Sequence, residues 1–309
     1  MRRAKEQSVK GPGLVRFVSL ILTCSTFPPA YAQIVVGGGR IDVVFESKDT
    51  GVPQSAILAW IGTAARAVTK YYGRYPVAHV AIYVRSVTGD KIESGTTFGT
   101  CDGGLIRIAV GRATSPAHFA ADWLITHEMV HLAFPSVPDQ HHWIEEGIAT
   151  YIEPIARARI GQLSAEQVWS DLVRDLPKGL PQPGDQGLDF THTWGRTYWG
   201  GALFCLLADI EVHRRTANGK GLNDALRGIL EAGGSIAVDW DLERALRAGD
   251  SAIGVPVLQE LYIQMRSAPH SVDLENLWRQ LGIERRGDGI ALSDEAPLAS
   301  IRRAIIFGE

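Results

Sequence analysis

The segment from His127 to His131 combines two histidines and a carboxylate in the order His127-Glu128-Met129-Val130-His131. On a helix, side chains four residues apart project from one face, so both histidines can reach one metal ion, and Glu128 lies beside it. Catalytic zinc sites typically use three protein ligands and leave the fourth position to water. The pattern therefore predicts a zinc-dependent hydrolase in which Glu128 moves protons, and it requires one more ligand.

The third ligand is expected in the segment that follows. A metzincin pattern would place a histidine six residues after His131, but Val137 occupies that position. A second helix, predicted from Trp143 to Glu153 after a Pro-rich turn and packed antiparallel to the first, can supply a glutamate instead. We therefore favour Glu146 as the third ligand. Three neighbouring side chains are kept as alternatives: Glu145, and also His141 and His142, which fall in the turn or first turn of the second helix, where exposed polar residues are expected.

The first 32 residues have the features of a secretory signal peptide. Basic residues lead, the apolar run Phe17–Phe27 is too short to span a bilayer, and Ala30-Tyr31-Ala32 has the small-x-small cleavage pattern. We predict cleavage after Ala32 and a periplasmic or secreted mature protein. A lipid-modified Cys24 and an uncleaved, signal-anchored chain are the alternatives.

The composition of the mature chain is that of an ordinary globular protein. The full sequence is 45% hydrophobic with a net charge of -3, and removing the basic leader makes the mature chain more acidic. Neither a basic stripe nor a series of aromatics suggests nucleic acid, and no second segment is long and apolar enough to span a membrane. We expect a peptide or protein substrate as the partner, no nucleic acid, and no membrane span after signal removal.

Two cysteines, Cys101 and Cys205, belong to the mature chain. In an oxidising compartment they could form a disulfide. Cys205, however, lies in an apolar run and fits a small buried core residue equally well. The sequence leaves both possibilities open.

The elements around the metal residues can be predicted from apolar periodicity. Alternation predicts three strands, at Ile41–Phe45, Val80–Val84 and Ile106–Val110. A helix is predicted from Pro53 onward, with apolar residues at helical spacing from Ile57 to Tyr72, and it should end at Gly73. A single helix is predicted from Ser115, with Pro116 in its first turn, to Pro135. The metal residues should therefore lie between a small mixed sheet and helices.

The rest of the chain is predicted to be mostly helical. Helical spacing is found at residues 164–173, 194–212, 222–230, 239–248 and 272–281. The Pro/Gly-rich segment Pro177–Asp189 is either a wall or lid of the cleft or a plain surface connection. The C-terminal segment from Gly289 to Phe307 is either a short strand or a docked tail. We predict an α+β fold in which residues 33–158 form the lobe with the metal helices and residues 159–309 form a helical lobe that completes the catalytic unit.

A longer set of motifs points to a known family. The pattern His127-Glu128-x-x-His131 is followed by Trp143-x-x-Glu146-Gly147-x-x-Thr150-Tyr151, and then by Tyr198-x-Gly200-Gly201, Leu207-x-Asp209, Gly219-Lys220 and Leu222-x-Asp224. Together these motifs resemble the gluzincin metallopeptidases and, within them, the glycyl aminopeptidase family. The match extends from Gly95 to Leu230, and the zinc motif is its most specific part.

This resemblance implies a thermolysin-like zincin fold, one zinc ion per chain and hydrolysis of peptide bonds. It assigns the zinc ligands to His127, His131 and Glu146. It makes Glu128 the general base and acid, and Tyr198 the stabiliser of the oxyanion, with His192 as a reserve donor. The sequence lacks the Gly-x-Met-Glu-Asn segment that holds a substrate amino group in related aminopeptidases, so the choice between exopeptidase and endopeptidase stays open.

A protein that binds without cutting is the main rival hypothesis. It would be a zinc-containing binding module of the cell envelope. Structural zinc sites usually have four protein ligands and need no neighbouring base. The presence of Glu128 between the histidines therefore favours an enzyme.

Overall fold

A five-stranded mixed sheet forms the first part of the fold in the computed structural model, which describes residues 30–287 and 289–308. Its strands are β1 (Ala30–Val36), β2 (Gly39–Phe45), β3 (His79–Val87), β4 (Ile92–Thr100) and β5 (Gly103–Gly111). Their spatial order is β1-β2-β3-β5-β4. β2, β3 and β5 run parallel, whereas β1 and β4 pair antiparallel with their neighbours. The predicted mixed sheet is confirmed, and β4 is an edge strand.

One face of the sheet forms much of the core. The alternating residues Ile41, Val43 and Phe45 of β2 are buried, as the sequence predicts. Helix α1 (Gln54–Tyr72) contributes ten buried residues, and Gly73 ends it with a φ of 78°. Since glycine adopts this left-handed conformation without steric cost, the predicted helix end is confirmed.

The single helix predicted from Ser115 to Pro135 is wrong, because two helices occupy this stretch. Helix α2 (Pro116–Ala121) begins as predicted, with the Ser115 side chain accepting a hydrogen bond from the amide of His118. The chain then becomes extended at Asp122, whose carboxylate accepts hydrogen bonds from the Ile125 amide at 3.3 Å and the Trp60 indole at 3.2 Å. Asp122 therefore satisfies an amide in the first turn of helix α3 (Leu124–His131), and this capping interrupts the helix.

The remaining chain is mostly helical. After a short 3₁₀ turn, the helices are α4 (His142–Ala158), α5 (Ala165–Asp175), α6 (Gly201–Arg215), α7 (Leu222–Glu231), α8 (Leu242–Ile253), α9 (Val257–Met265), α10 (Leu274–Leu281) and α11 (Ala299–Phe307). A hairpin of β6 (Ile283–Arg286) and β7 (Gly289–Leu292) precedes α11. The C-terminal segment therefore contains both a strand and a docked helix, and α9 is an element that the sequence analysis did not predict.

Three further predictions can be compared with these elements. Most of the predicted signal segment, including Cys24, lies outside the described residues, but Ala30, Tyr31 and Ala32 belong to β1 and pair with β2. Cys101 is exposed and Cys205 is buried, and neither is in a disulfide. Within residues 30–287 and 289–308, no helix combines the length and apolar character that a membrane crossing needs.

Candidate active site

Three side chains from two packed helices converge on one point. His127 and His131 lie on α3 and Glu146 lies on α4, and their ligand atoms are all within 4.8 Å of one another. The Oε2 atom of Glu146 is 3.1 Å from Nε2 of His127 and 3.7 Å from Nε2 of His131. Ligands about 2 Å from a tetrahedral zinc ion are about 3.3 Å apart. The donor types and the spacing therefore fit one zinc ion.

The charges at this cluster also suit a metal ion. Burial lowers the pKa of His131 to about 3, which keeps the imidazole neutral as a metal ligand must be. Burial alone would raise the pKa of Glu146, but hydrogen bonds to His127 and His142 and the neighbouring histidines hold it well below the usual value. The cluster thus offers two histidine rings and an ionised carboxylate, the donor set of a catalytic zinc site.

The alternative ligands have other partners. The Glu145 carboxylate accepts a hydrogen bond from the Val137 amide at 3.3 Å and lies 3.0 Å from Nδ1 of His142. Nε2 of His142 lies 3.3 Å from the second oxygen of Glu146, so His142 contacts a member of the cluster without joining it. The expectation that His141 is an exposed polar residue is wrong. His141 is buried, and its Nδ1 lies 2.8 Å from the buried Asp189 carboxylate. This contact gives a ring nitrogen a polar partner inside the protein.

Glu128 is buried against the edge strand of the sheet. Oγ1 of Thr97 lies 2.6 Å from Oε2 of Glu128 and 2.9 Å from its carbonyl oxygen, so the hydroxyl proton can go to either acceptor. Burial raises the pKa of Glu128, and the Thr97 hydrogen bond partly opposes this shift. A methyl group on Gly95 would lie 2.7 Å from Cγ of Glu128. Thr97 therefore orients the carboxylate, and Gly95 leaves the space for it.

Sequence reasoning missed these two supporting residues. In the sequence, the stretch from Ser94 to Gly104 is notable only as rich in Gly and Thr. The sequence pattern that could have identified them is a small residue at every second position. Gly95, Thr97 and Gly99 follow this pattern, and in a strand they share one face. A strand with one face of small residues indicates that another element approaches closely.

Tyr198 lies on a π-helical turn, Gly195–Gly200, immediately before α6. Its ring is stacked on His127 with 6.4 Å between centroids, and it lines the same cleft as Glu128. Burial and the charges of Glu146 and Glu128 raise the Tyr198 pKa to about 12, so the hydroxyl keeps its proton at neutral pH. His192 is exposed and does not line the cleft, so the reserve donor is not at the site.

The loop before Tyr198 is fixed in place. The buried Arg196, two residues before Tyr198, has Nε 2.7 Å from the buried carboxylate of Asp185 and also donates to the Gly179 carbonyl. Asp189 accepts a hydrogen bond from the Trp143 indole on α4, at 2.8 Å. These contacts anchor Pro177–Asp189 to α4 and to the turn that carries Tyr198, but no residue of this segment, all of which the structure describes, lines the cleft.

The helices that carry Glu146 and Tyr198 meet at two glycines. Gly147 on α4 and Gly201 at the start of α6 are both buried, and a side chain on either would overlap the backbone of the other helix. This close contact lies one residue after Glu146 and three after Tyr198, so it sets how α4 and the π-helical turn approach each other.

Gly147→Ala is expected to lower the free energy of unfolding by about 1–3 kcal/mol, the usual cost of overpacking. The measurement is chemical denaturation. Gly62→Ala is the matched control: Gly62 is also buried in a helix, but the nearest atom to an added methyl is 3.7 Å away. Since alanine is the better helix former, the control should be neutral or stabilising. Equal losses in both variants would contradict the role of the Gly147–Gly201 contact.

The three-donor cluster opens into a cleft of about 860 Å³. The cleft runs along β4, with α3, the start of α4 and Tyr198 on the opposite side. Three histidines and five carboxylates line it, and none of the described lining residues is Lys or Arg. A substrate in this cleft would reach Glu128, Tyr198 and the cluster together.

Comparisons with known proteins place this geometry in a wider context. No protein-family model matches the chain. No curated protein matches it either. Similarity is found among solved structures, at low sequence identity.

The fold is similar to that of an aminopeptidase N family protein from Idiomarina loihiensis, with a TM-score of 0.62, 12% identity, and coverage of 82% of this chain and 49% of that chain. A two-domain M1 zinc metallopeptidase bound to L-tryptophan matches with a TM-score of 0.50, 15% identity, and coverage of 79% and 53%. The chain spans about half the length of these structures. The likeness confirms the predicted α+β fold, whereas its thermolysin-like details and the finer resemblance to glycyl aminopeptidases stay predictions. The fold of this chain is therefore similar to about half of an M1 zinc metallopeptidase structure.

Proposed function

We propose that this chain is a zinc-dependent metallopeptidase with a thermolysin-like site, which hydrolyses peptide bonds with Glu128 as general base. One observation carries the proposal: a buried carboxylate, held by Thr97, lies in the same cleft as a cluster of three metal donors without being one of them. A structural metal site needs no such group. The similarity to one structure named as an aminopeptidase N family protein and to another named as a zinc metallopeptidase supports the same reaction class.

His127, His131 and Glu146 would hold the zinc ion. When bound, the ion supplies Lewis-acid chemistry, which polarises a carbonyl group and makes water more acidic. Glu128 accepts the proton of the attacking water and passes it to the leaving amine. Burial favours this role, because the raised pKa of Glu128 makes its carboxylate a stronger base. Thr97 holds one oxygen of the carboxylate and leaves the other for the water.

Tyr198 would stabilise the charge that develops on the carbonyl oxygen. Its hydroxyl is protonated because burial raises its pKa to about 12, so it is a donor at neutral pH. Donors that meet the oxyanion act mainly in the transition state. Tyr198 is therefore assigned to the catalytic step rather than to ground-state binding of the substrate.

Tyr198→Phe is expected to lower kcat and kcat/KM together by ~10² to 10³, with KM nearly unchanged. Phe keeps the ring and so should keep its stacking on His127 and the zinc content. The measurements are steady-state kinetics, metal analysis and the melting temperature. A variant with near-wild-type kcat, or one that loses stability and activity in parallel, would make Tyr198 a packing residue only.

The direct test of the function is digestion of a peptide library by the purified, zinc-loaded chain, read by mass spectrometry. We expect cleaved peptides, and their new termini report whether bonds are cut internally or from one end. Cleavage should stop on chelation and return with added zinc. An intact library in the presence of bound zinc would contradict the proposal and favour the binding module.

We further propose that the mature protein is periplasmic or secreted. The basic leader, the apolar run and the Ala30-Tyr31-Ala32 pattern support this location. Cleavage after Ala32 would leave Gln33–Val36 of β1 paired with β2. N-terminal sequencing of the exported protein should start at Gln33, and an intact leader in the membrane fraction would favour the signal anchor.

A further inference from the structure

Trp123 is an exposed aromatic side chain at the metal-binding cluster. It is 51% exposed, although it immediately precedes the mostly buried helix α3. Its ring meets His127 edge-on, with 5.4 Å between centroids, and it lines the cleft. An aromatic ring exposed within a cleft is suited to contact a ligand, and Trp is enriched among the residues that carry most of the binding energy at interfaces.

The position of Trp123 along the cleft follows from the contacts of β4. Gly95 and Thr97, in the middle of the strand, face Glu128. Gly99, near the end of the strand, lies against the backbone of Ile236. Glu128 therefore faces the middle of the cleft, and the cleft continues along β4 in both directions from it.

One end of the cleft is formed by the first residues of β4 and of α3. Ile92, Leu124 and Trp123 line it there, and the first two are half-buried. Trp123 lies one helical turn before His127, so this end adjoins the metal-binding cluster directly. A side chain next to the bond being cut would lie at this end of the cleft, on the indole ring.

The apolar side chains at this end outweigh its charged groups and favour an apolar occupant. The Asp122 carboxylate is already engaged with the Trp60 indole and the Ile125 amide. Glu93 is exposed on the strand, and it is the group that would favour a basic residue instead. The indole, Ile92 and Leu124 together offer more contact area to a flat apolar ring than Glu93 offers to a basic side chain. A pair of aromatic rings is also stabilised by more than the burial of its apolar surface.

We propose that Trp123, with Ile92 and Leu124, forms a subsite that binds a large apolar side chain, preferably aromatic, beside the scissile peptide bond. This inference rests on the proposed peptidase function and names its substrate class. Trp123 is then a specificity-determining residue, which contacts the substrate but not the reacting atoms.

The test uses alanine-based octapeptides in which one position is scanned with Phe, Lys or Ala, each with a free or an acetylated amino terminus. For wild type, Trp123→Ala and Trp123→Phe, kcat/KM is measured for every peptide, together with zinc content. Phe307→Ala is the matched control, because Phe307 is 57% exposed on α11 and does not line the cleft. Calorimetric binding of the Phe and Ala peptides is measured in Glu128→Gln protein with and without Trp123→Ala.

We expect wild type to prefer Phe over Ala at one position, and Trp123→Ala to lose about tenfold or more of this preference, measured as the ratio of kcat/KM for the Phe peptide to that for the Ala peptide. Trp123→Phe should restore most of the preference, and Phe307→Ala should not change it. An equal loss on all peptides, or a loss of zinc, would make Trp123 a support for His127 and overturn the subsite. A preference for Lys over Phe would overturn the apolar subsite and would show that Glu93 selects a basic side chain instead. If no peptide is cut, the peptidase proposal fails, and the calorimetric preference for Phe still decides the subsite.

Discussion

Glu128→Gln is expected to reduce peptide hydrolysis by at least ~10², the usual contribution of a general base, while the protein keeps its fold and its zinc. Glutamine has nearly the same shape as glutamate and can still accept the hydrogen bond of Thr97, which lies 2.6 Å from the carboxylate. It cannot accept the proton of an attacking water. The substitution therefore removes the chemical step without removing the side chain.

Two measurements distinguish the loss of the general base from a loss of zinc or of the fold. Metal analysis should find about one zinc per chain in wild type and variant, because Glu128 is not one of the three donors. The melting temperature should change little. Activity comparable to wild type would show that another group serves as the base, and a variant without zinc would mean that Glu128 supports the metal rather than the reaction.

The metal residues could be predicted because their geometry is local. His127 and His131 are four residues apart, and any helix through them brings both rings to one face. Glu146 required only that a second helix follow a short connection and pack on the first. The break between α2 and α3 depends on one side chain, Asp122, which caps the second helix. The start signal at Ser115-Pro116 and the stop at Pro135 predicted a single helix instead.

Other parts of the site could not be predicted, because their roles depend on residues far away in the sequence. Thr97 meets Glu128 only after β4 has taken the edge position next to β5. His141 is buried because the carboxylate of Asp189, far along the chain, lies beside it. The sequence contains such residues without marking them, since a buried histidine and an exposed one have the same local pattern. Apolar spacing identified the helices, whereas the partners of the polar side chains required the tertiary structure.

The assignment of the third ligand leads to the second large effect. Glu146→Gln is expected to weaken zinc binding by more than the ~10–100-fold that is typical of losing a residue that only supports a ligand, and to abolish activity with it. The Oε2 atom of Glu146 lies within 3.7 Å of Nε2 of both histidines, and the hydrogen bonds that hold its pKa low keep it anionic. An uncharged amide offers a much poorer donor for zinc at the same position.

Glu145→Gln is the matched control, because it changes the same chemical group one residue away. Its carboxylate contacts the Val137 amide and His142, and it is not a member of the three-donor cluster. We expect this variant to keep about one zinc per chain and most of its activity, whereas Glu146→Gln and His131→Ala lose both. Metal analysis after dialysis, with competition by a chelator to rank affinities, gives the comparison. Retention of zinc by Glu146→Gln together with its loss from Glu145→Gln would move the third ligand by one residue. That outcome would also require α4 to rotate by about 100° about its axis, which would break its close contact with α6 at Gly147 and Gly201.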